Sequence, residues 1–140
     1  MHHIRLLLWG SLFALLLPAC SGNNGKPSDD DDYVAAPSFL EIGDWVAAYV
    51  EGNFSEYANH IHAFSSLPPD RQEDILRLYR QHRAERHEQY GHIEGYVVRH
   101  CDVDKPHRSA TAYVDLIYES GDTVEILLPM VYVDDQWWRR

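Results

Sequence analysis

The chain has 140 residues, 45% of them hydrophobic, with 22 acidic against 12 basic side chains and a net charge of -10. That length suits one domain, and that apolar content excludes disorder throughout. The acidic balance argues against a nucleic-acid partner, because affinity for a phosphate backbone comes from clustered lysine and arginine.

Arg5 precedes a run from Leu6 to Leu17 that is apolar except for Gly10 and Ser11. The run is too short to span a hydrocarbon layer, which takes roughly 20 apolar residues, and it fits the apolar region of a secretory signal peptide. Leu17-Pro18-Ala19-Cys20 then resembles the lipobox of bacterial lipoproteins. The resemblance implies that residues 1–19 are removed and that acylated Cys20 becomes the N-terminus. Several acyl chains, at about 0.8 kcal/mol per buried methylene, would anchor the protein to a membrane without spanning it. Ser21, where an aspartate would imply inner-membrane retention, points to the outer membrane, periplasmic side, with surface exposure left open. Once Cys20 carries lipid, Cys101 is the sole thiol and no internal disulfide can form. Although Cys101 adjoins His100, it reads as a structural thiol.

Residues 20–36 read as the lipidated cysteine and a flexible acidic tether. Gly, Asn, Pro, Ser and the run Asp29 to Asp32 cannot bury enough apolar area to offset ordering entropy. The aspartates also lack the spaced glycine of a calcium loop.

A single domain is expected over 37–140. Ser38-Phe39-Leu40-Glu41 reads as a capping box, followed by Ile42, Trp45, Val46, Tyr49 and Val50 on one helical stripe, with Gly52 as the stop. A second helix is expected from Ser55 to Ala63, capped by Asn53 or Ser55. The third starts near Pro68-Pro69, with Asp70, Glu73 and Asp74 at its positive end, and runs to Gly91. Its apolar residues, Ile75, Leu76, Leu78 and Tyr79, all lie in its first half. From Arg80 to Gln89 only Ala84 is apolar, so that half belongs on the surface or at the mouth of a cleft, packing through arginine stems.

From Gly95 the period becomes two. Val97, Cys101 and Val103 form one face of a first strand; Ala110, Ala112, Val114, Leu116 and Tyr118 form one face of a second, after a Lys105-Pro106 turn. Ser120-Gly121-Asp122 turns into a third strand bearing Val124, Ile126 and Leu128, where Pro129 predicts a bulge or bend. Asp134-Asp135-Gln136 turns into a last strand, Trp137 to Arg140. The class is α+β: three N-terminal helices on one face of a curved four-stranded antiparallel meander.

The lipobox, the tether, Gly52-Asn53-Phe54, Leu67-Pro68, Gly91, Ser120-Gly121-Asp122-Thr123, Leu128-Pro129-Met130-Val131 and Asp135-Gln136-Trp137-Trp138 together resemble a domain-of-unknown-function family of bacterial lipoproteins. That family belongs to the nuclear transport factor 2-like superfamily, also called cystatin-like, with a cone-shaped α+β fold. The resemblance implies the fold across the whole domain and assigns no activity.

A lyase or isomerase in such a cone would need an acid or imidazole base in an apolar pocket. The strands carry Asp115, Glu119 and Glu125 on the parity opposite their apolar faces, which argues against it. The histidines offer His60 with His62, His82 with His87 and His92, and His100 with Asp102 and His107; none has zinc-site spacing, so neither metal nor cofactor is expected. Arg77, Arg80, Arg83 and Arg86 are interleaved with Glu73, Glu85 and Glu88 and read as a self-compensated face. The expectation is a non-enzymatic binding or accessory lipoprotein of the cell envelope, with Trp45, Tyr49 and His82 lining any cavity for a small apolar ligand. Alternatives are the lyase or isomerase, and a module that docks or inhibits an envelope protein through an outer sheet face bearing Tyr113 and Ile117.

Overall fold

The computed structural model describes residues 34–140; the signal peptide, Cys20 and the tether as far as residue 33 lie outside the described residues. Three α-helices, α1(Phe39–Glu51), α2(Phe54–Asn59) and α3(Pro69–Tyr90), precede four strands, β1(Ile93–Asp104), β2(Ser109–Tyr118), β3(Thr123–Val133) and β4(Gln136–Arg139). The strands pair antiparallel in the order β1-β2-β3-β4. The α+β meander expected from the sequence is therefore present. Among the described residues no helix is long and apolar enough to cross a membrane.

In α1 the predicted stripe faces the core: Ile42, Trp45, Val46 and Tyr49 are buried and Val50 is half-buried. Ser38 Oγ accepts from the Leu40 N–H at 3.2 Å, one residue before the capping-box position. Gly52, at φ 78°, closes the helix by donating to the Ala48 and Tyr49 carbonyls, and the Asn53 N–H returns to Ala48, the double closure that a left-handed glycine permits.

Helix α2 is shorter than expected. Asn53 Oδ1 accepts from the Glu56 N–H at 3.3 Å and starts it, but it ends at Asn59. Tertiary pairing takes the backbone that would have continued it: Arg139 N–H donates to the His60 carbonyl at 2.7 Å, and the Arg139 carbonyl accepts from His62 N–H at 2.8 Å. A short 3-10 turn, Phe64–Ser66, then buries Phe64.

Strand β2 alternates as predicted, with Ala110, Ala112, Val114, Leu116 and Tyr118 buried. Strand β1 does not keep one parity. Its register against β2 shifts between Ile93 and Gly95 and again between Val98 and His100, leaving Arg99 without an opposite residue. One extra residue transfers every later side chain to the other face. Tyr96 and Val98 before the bulge, and Cys101 and Val103 after it, therefore pack on the core. Val97, expected beside Cys101 and Val103, is instead 39% exposed.

Pro129 causes no bulge: the register Ala110↔Met130, Thr111↔Pro129, Ala112↔Leu128 is continuous. A strand residue points its N–H and C=O to the same side, and the Pro129 carbonyl accepts from Arg140 N–H, on the β4 side. The missing donor thus faces past the short β4 and takes nothing from the β2 ladder. Asp134 and Asp135, at φ 51° and 60°, form the two-residue turn between Val133 and Gln136, as twisted hairpins prefer. At the N-terminal end of the described residues Val34 is buried and the Ala35 carbonyl accepts from Trp137 Nε1 at 2.8 Å.

Candidate functional site

Helix α3 buries none of its residues fully. Its apolar-poor second half lies over the start of β1 and the end of β2, and the junction is set by Gly91. At φ 81° and ψ -160° this residue occupies backbone space open essentially to glycine alone, and it reverses the chain so that His92 folds back beside His87. The turn is tied to β2: Glu119 N–H donates to the His92 carbonyl at 2.8 Å, and Ser120 N–H to the Tyr90 carbonyl at 3.1 Å.

The reversal leaves a cleft of about 350 Å³. Phe54, Ala84, Ile93 and Tyr118 supply apolar walls, and Arg80, Arg83, His87 and His92 supply polar groups. No lining residue is a carboxylate. Arg83 is braced by donating to the Val50 carbonyl at 2.5 Å and by lying over the Phe54 ring at 5.8 Å. Arg80 pairs with exposed Glu73, and Arg86 lies over the Tyr90 ring. The His87 and His92 ring centroids are 4.2 Å apart. Spacing by five residues keeps side chains apart on a continuous helix, but the helix ends between these two, so they meet. Burial pushes up the phenol of Tyr118, and Arg86 and Arg83 pull it part of the way back.

The three residues expected to line a cavity are not in the walls of this cleft. Trp45 and Tyr49 are 2% and 5% exposed and fill the core. Tyr49 shares a hydrogen bond of 3.2 Å with His82 Nδ1, which links these two, and Trp45 stacks on His60 with centroids 5.4 Å apart. Burial pushes the Tyr49 phenol up to about 12, with Tyr118 and Tyr57 adding to the shift. Burial and Asp102 raise the Cys101 thiol, which holds it in its unreactive protonated form.

A second hollow lies between α1, α2 and β4, lined by Glu41, Asp44, Glu56, His60 and the edges of Trp45 and Trp137. Burial raises the Glu41 carboxyl, His60 opposes that and Asp44 adds to it. Asp44 and Glu56 are exposed, so this hollow is acidic and wet rather than the apolar setting that tunes a catalytic base.

On the outward sheet face His100 stacks on Tyr113, with centroids 4.1 Å apart, and Arg99 pairs with Asp115 at 2.5 Å. His100 approaches Asp102 at 3.9 Å, whereas His107 pairs with Asp104 at 2.8 Å, so His100, Asp102 and His107 are not brought together as a set. Among the described residues no group of three or more His, Cys, Asp or Glu is placed to hold a metal ion. Exposed Val97, Ile117 and Leu127 are interspersed there with charged residues.

Sequence reasoning missed Arg139. It is 6% exposed, donates to the Tyr57 carbonyl at 2.7 Å and the Tyr79 hydroxyl at 3.2 Å, and places its guanidinium carbon 3.4 Å from the Tyr57 ring centroid. Among the described residues no carboxylate pairs with it. A terminal Arg-Arg pair carries no local sign of this burial; only strand parity beside buried Trp137 hints at it.

No protein-family model matches the chain, and no curated protein matches it. Among solved structures it is similar to a crystal structure from Campylobacter jejuni provisionally assigned as an NTF2-like transpeptidase, with a TM-score of 0.57 and 12% sequence identity. The similarity covers 73% of this chain and 97% of that one. At that identity it shows the fold alone: the domain has an NTF2-like α+β fold.

Proposed function

We propose that this chain is a non-enzymatic binding lipoprotein of the bacterial cell envelope, held at the outer membrane by acylated Cys20 and spaced from it by the tether. Membership of the unknown-function lipoprotein family, with the helices covering one face of a curved sheet, is part of the same reading. The observation that carries it is the cleft under the second half of α3, whose apolar walls and few convergent polar groups are the usual composition of a ligand site. Its lining offers guanidinium groups and no carboxylate, which suits holding an anion; the lyase or isomerase alternative would have to take its base from His87 or His92.

The test is to purify the protein from native membranes and identify small molecules released on unfolding. A recurrent ligand that is lost from the cleft-filling variant Ala84→Trp supports the reading. Absence of any ligand, with one envelope protein bound in fixed stoichiometry, turns it toward the interaction module, which the exposed Val97, Ile117 and Leu127 favour. Anchoring is tested separately: Cys20→Ala should move the protein to soluble fractions, and retention on membranes refutes the lipobox reading.

A further inference from the structure

We infer that the cleft between α3 and the β1–β2 end of the sheet takes a small amphipathic anion, an apolar body carrying one carboxylate. The inference rests on the binding reading above and names the chemical class of its ligand.

The first argument is charge. In a chain with 22 acids against 12 bases, this hollow is lined by two guanidinium groups and two imidazoles and by no acid. Two carboxylates flank the hollow without lining it: Glu119 accepts from the His92 backbone N–H at 3.3 Å, and Glu73 pairs with Arg80. A cationic hollow in an acidic surface attracts anions and repels cations locally, whatever the sign of the whole molecule.

The second argument is donor capacity. Arg83 is fixed by the Val50 carbonyl and the Phe54 ring, yet a guanidinium has five N–H donors in a fork that matches a carboxylate. Its position is thereby set before a ligand arrives. Arg80 is held by exposed Glu73, and an exposed pair is weak enough to exchange for a ligand carboxylate. The third argument is size and shape. A volume of 350 Å³ equals that of about a dozen waters at ~30 Å³ each, so the occupant has about as many non-hydrogen atoms. Phe54, Ala84 and Ile93 give apolar walls against which the ligand's apolar body can lie.

4-Phenylbutyrate has that size, and 4-phenylbutanol and 4-phenylbutylamine vary only its charge. Ligand-observed NMR titration of each against the purified full chain in nonionic detergent, with detergent alone as the blank, tests the class. The carboxylate is expected to bind about tenfold more tightly than the alcohol, a difference of about 1.4 kcal/mol, and the amine most weakly. Arg80→Gln should cut that preference to about threefold without changing the thermal midpoint, and Ala84→Trp should abolish binding of all three. Equal binding of alcohol and carboxylate, both blocked by Ala84→Trp, overturns the anion class and leaves the binding reading standing. Preference for the amine overturns it likewise. Binding of no probe, or binding that Ala84→Trp does not affect, removes the cleft as the site and the inference with it.

Discussion

Replacing Arg139 tests how this domain tolerates a buried cation without an acid. Helix α2 ends at Asn59, so the Tyr57 carbonyl is among the last-turn acceptors that have no helical donor. Arg139 supplies it at 2.7 Å. Two hydrogen bonds from a charged donor are worth about 1.5 to 3 kcal/mol each, and a desolvated cation–π contact adds about 2. Removing the charge, however, returns a desolvation cost of several kcal/mol. After Arg139→Met the residue of this balance is the orphaned Tyr57 carbonyl, about 1 to 3 kcal/mol, because the half-buried Tyr79 hydroxyl can turn to water. The expected loss is about 2 kcal/mol, read as a fall in urea midpoint of about 1 to 2 M at unchanged slope. Arg139→Lys should lose at least as much, since it keeps the cost of burying charge but gives up the planar stacking on Tyr57. A methionine variant within about 0.5 kcal/mol of the parent would show that desolvation and capping cancel. A neutral lysine variant would refute the stacking argument.

Tyr49, Tyr57 and Tyr118 all have phenols raised above 10.0 by burial, Tyr49 to about 12. The folded state therefore holds these protons more tightly than the unfolded chain, and their contribution is complete below pH 10 and lost as pH rises toward 12. Urea midpoints followed alongside phenolate absorbance should fall through that window; midpoints that stay level contradict the burial. Gly91→Ala forces a side chain into glycine-only backbone space and places its Cβ 2.8 Å from Glu119 Oε2 and 3.1 Å from Glu119 Cβ. A loss of about 2 to 3 kcal/mol is expected by thermal or urea unfolding; an unchanged midpoint would mean that the α3–β1 turn does not need its observed geometry.

What the sequence disclosed, it disclosed through periodicity. The stripe from Ile42 to Tyr49 and the alternation from Ala110 to Tyr118 each repeat often enough for one face to be identified, and both are buried. The poverty of apolar residues between Arg80 and Gln89 put that half of α3 on the surface or at the mouth of a cleft, and Arg80, Arg83, Ala84 and His87 line one. Features fixed by distant partners left no such trace. The bulge at Arg99 is defined only against β2, the truncation of α2 only against Arg139, and the burial of Arg139 only by α2 and Tyr79. Cleft residues come from four segments, and nothing in the spacing of Phe54, Ile93 and Tyr118 shows that α3 lies across them. A step of five residues separates His87 from His92 on an unbroken helix, whereas Gly91 ends the helix between them and they meet.

The two bulges of β1 have a consequence for the company the domain can keep. In an open meander both outer strands present unsatisfied backbone groups to any neighbouring chain. Here β4 is shielded on its outer side by the Ile61 bridge and the His60 and His62 hydrogen bonds to Arg139. That leaves β1, at 12 residues the longest strand, as the side a foreign strand would have to join. Its ladder is interrupted at Ile93–Gly95 and at Val98–His100, and its exposed residues include Glu94, Arg99, Asp102 and Asp104. An incoming strand would meet a bent, charged edge with only short straight runs, an arrangement that disfavours edge-to-edge zipping into a continuous sheet.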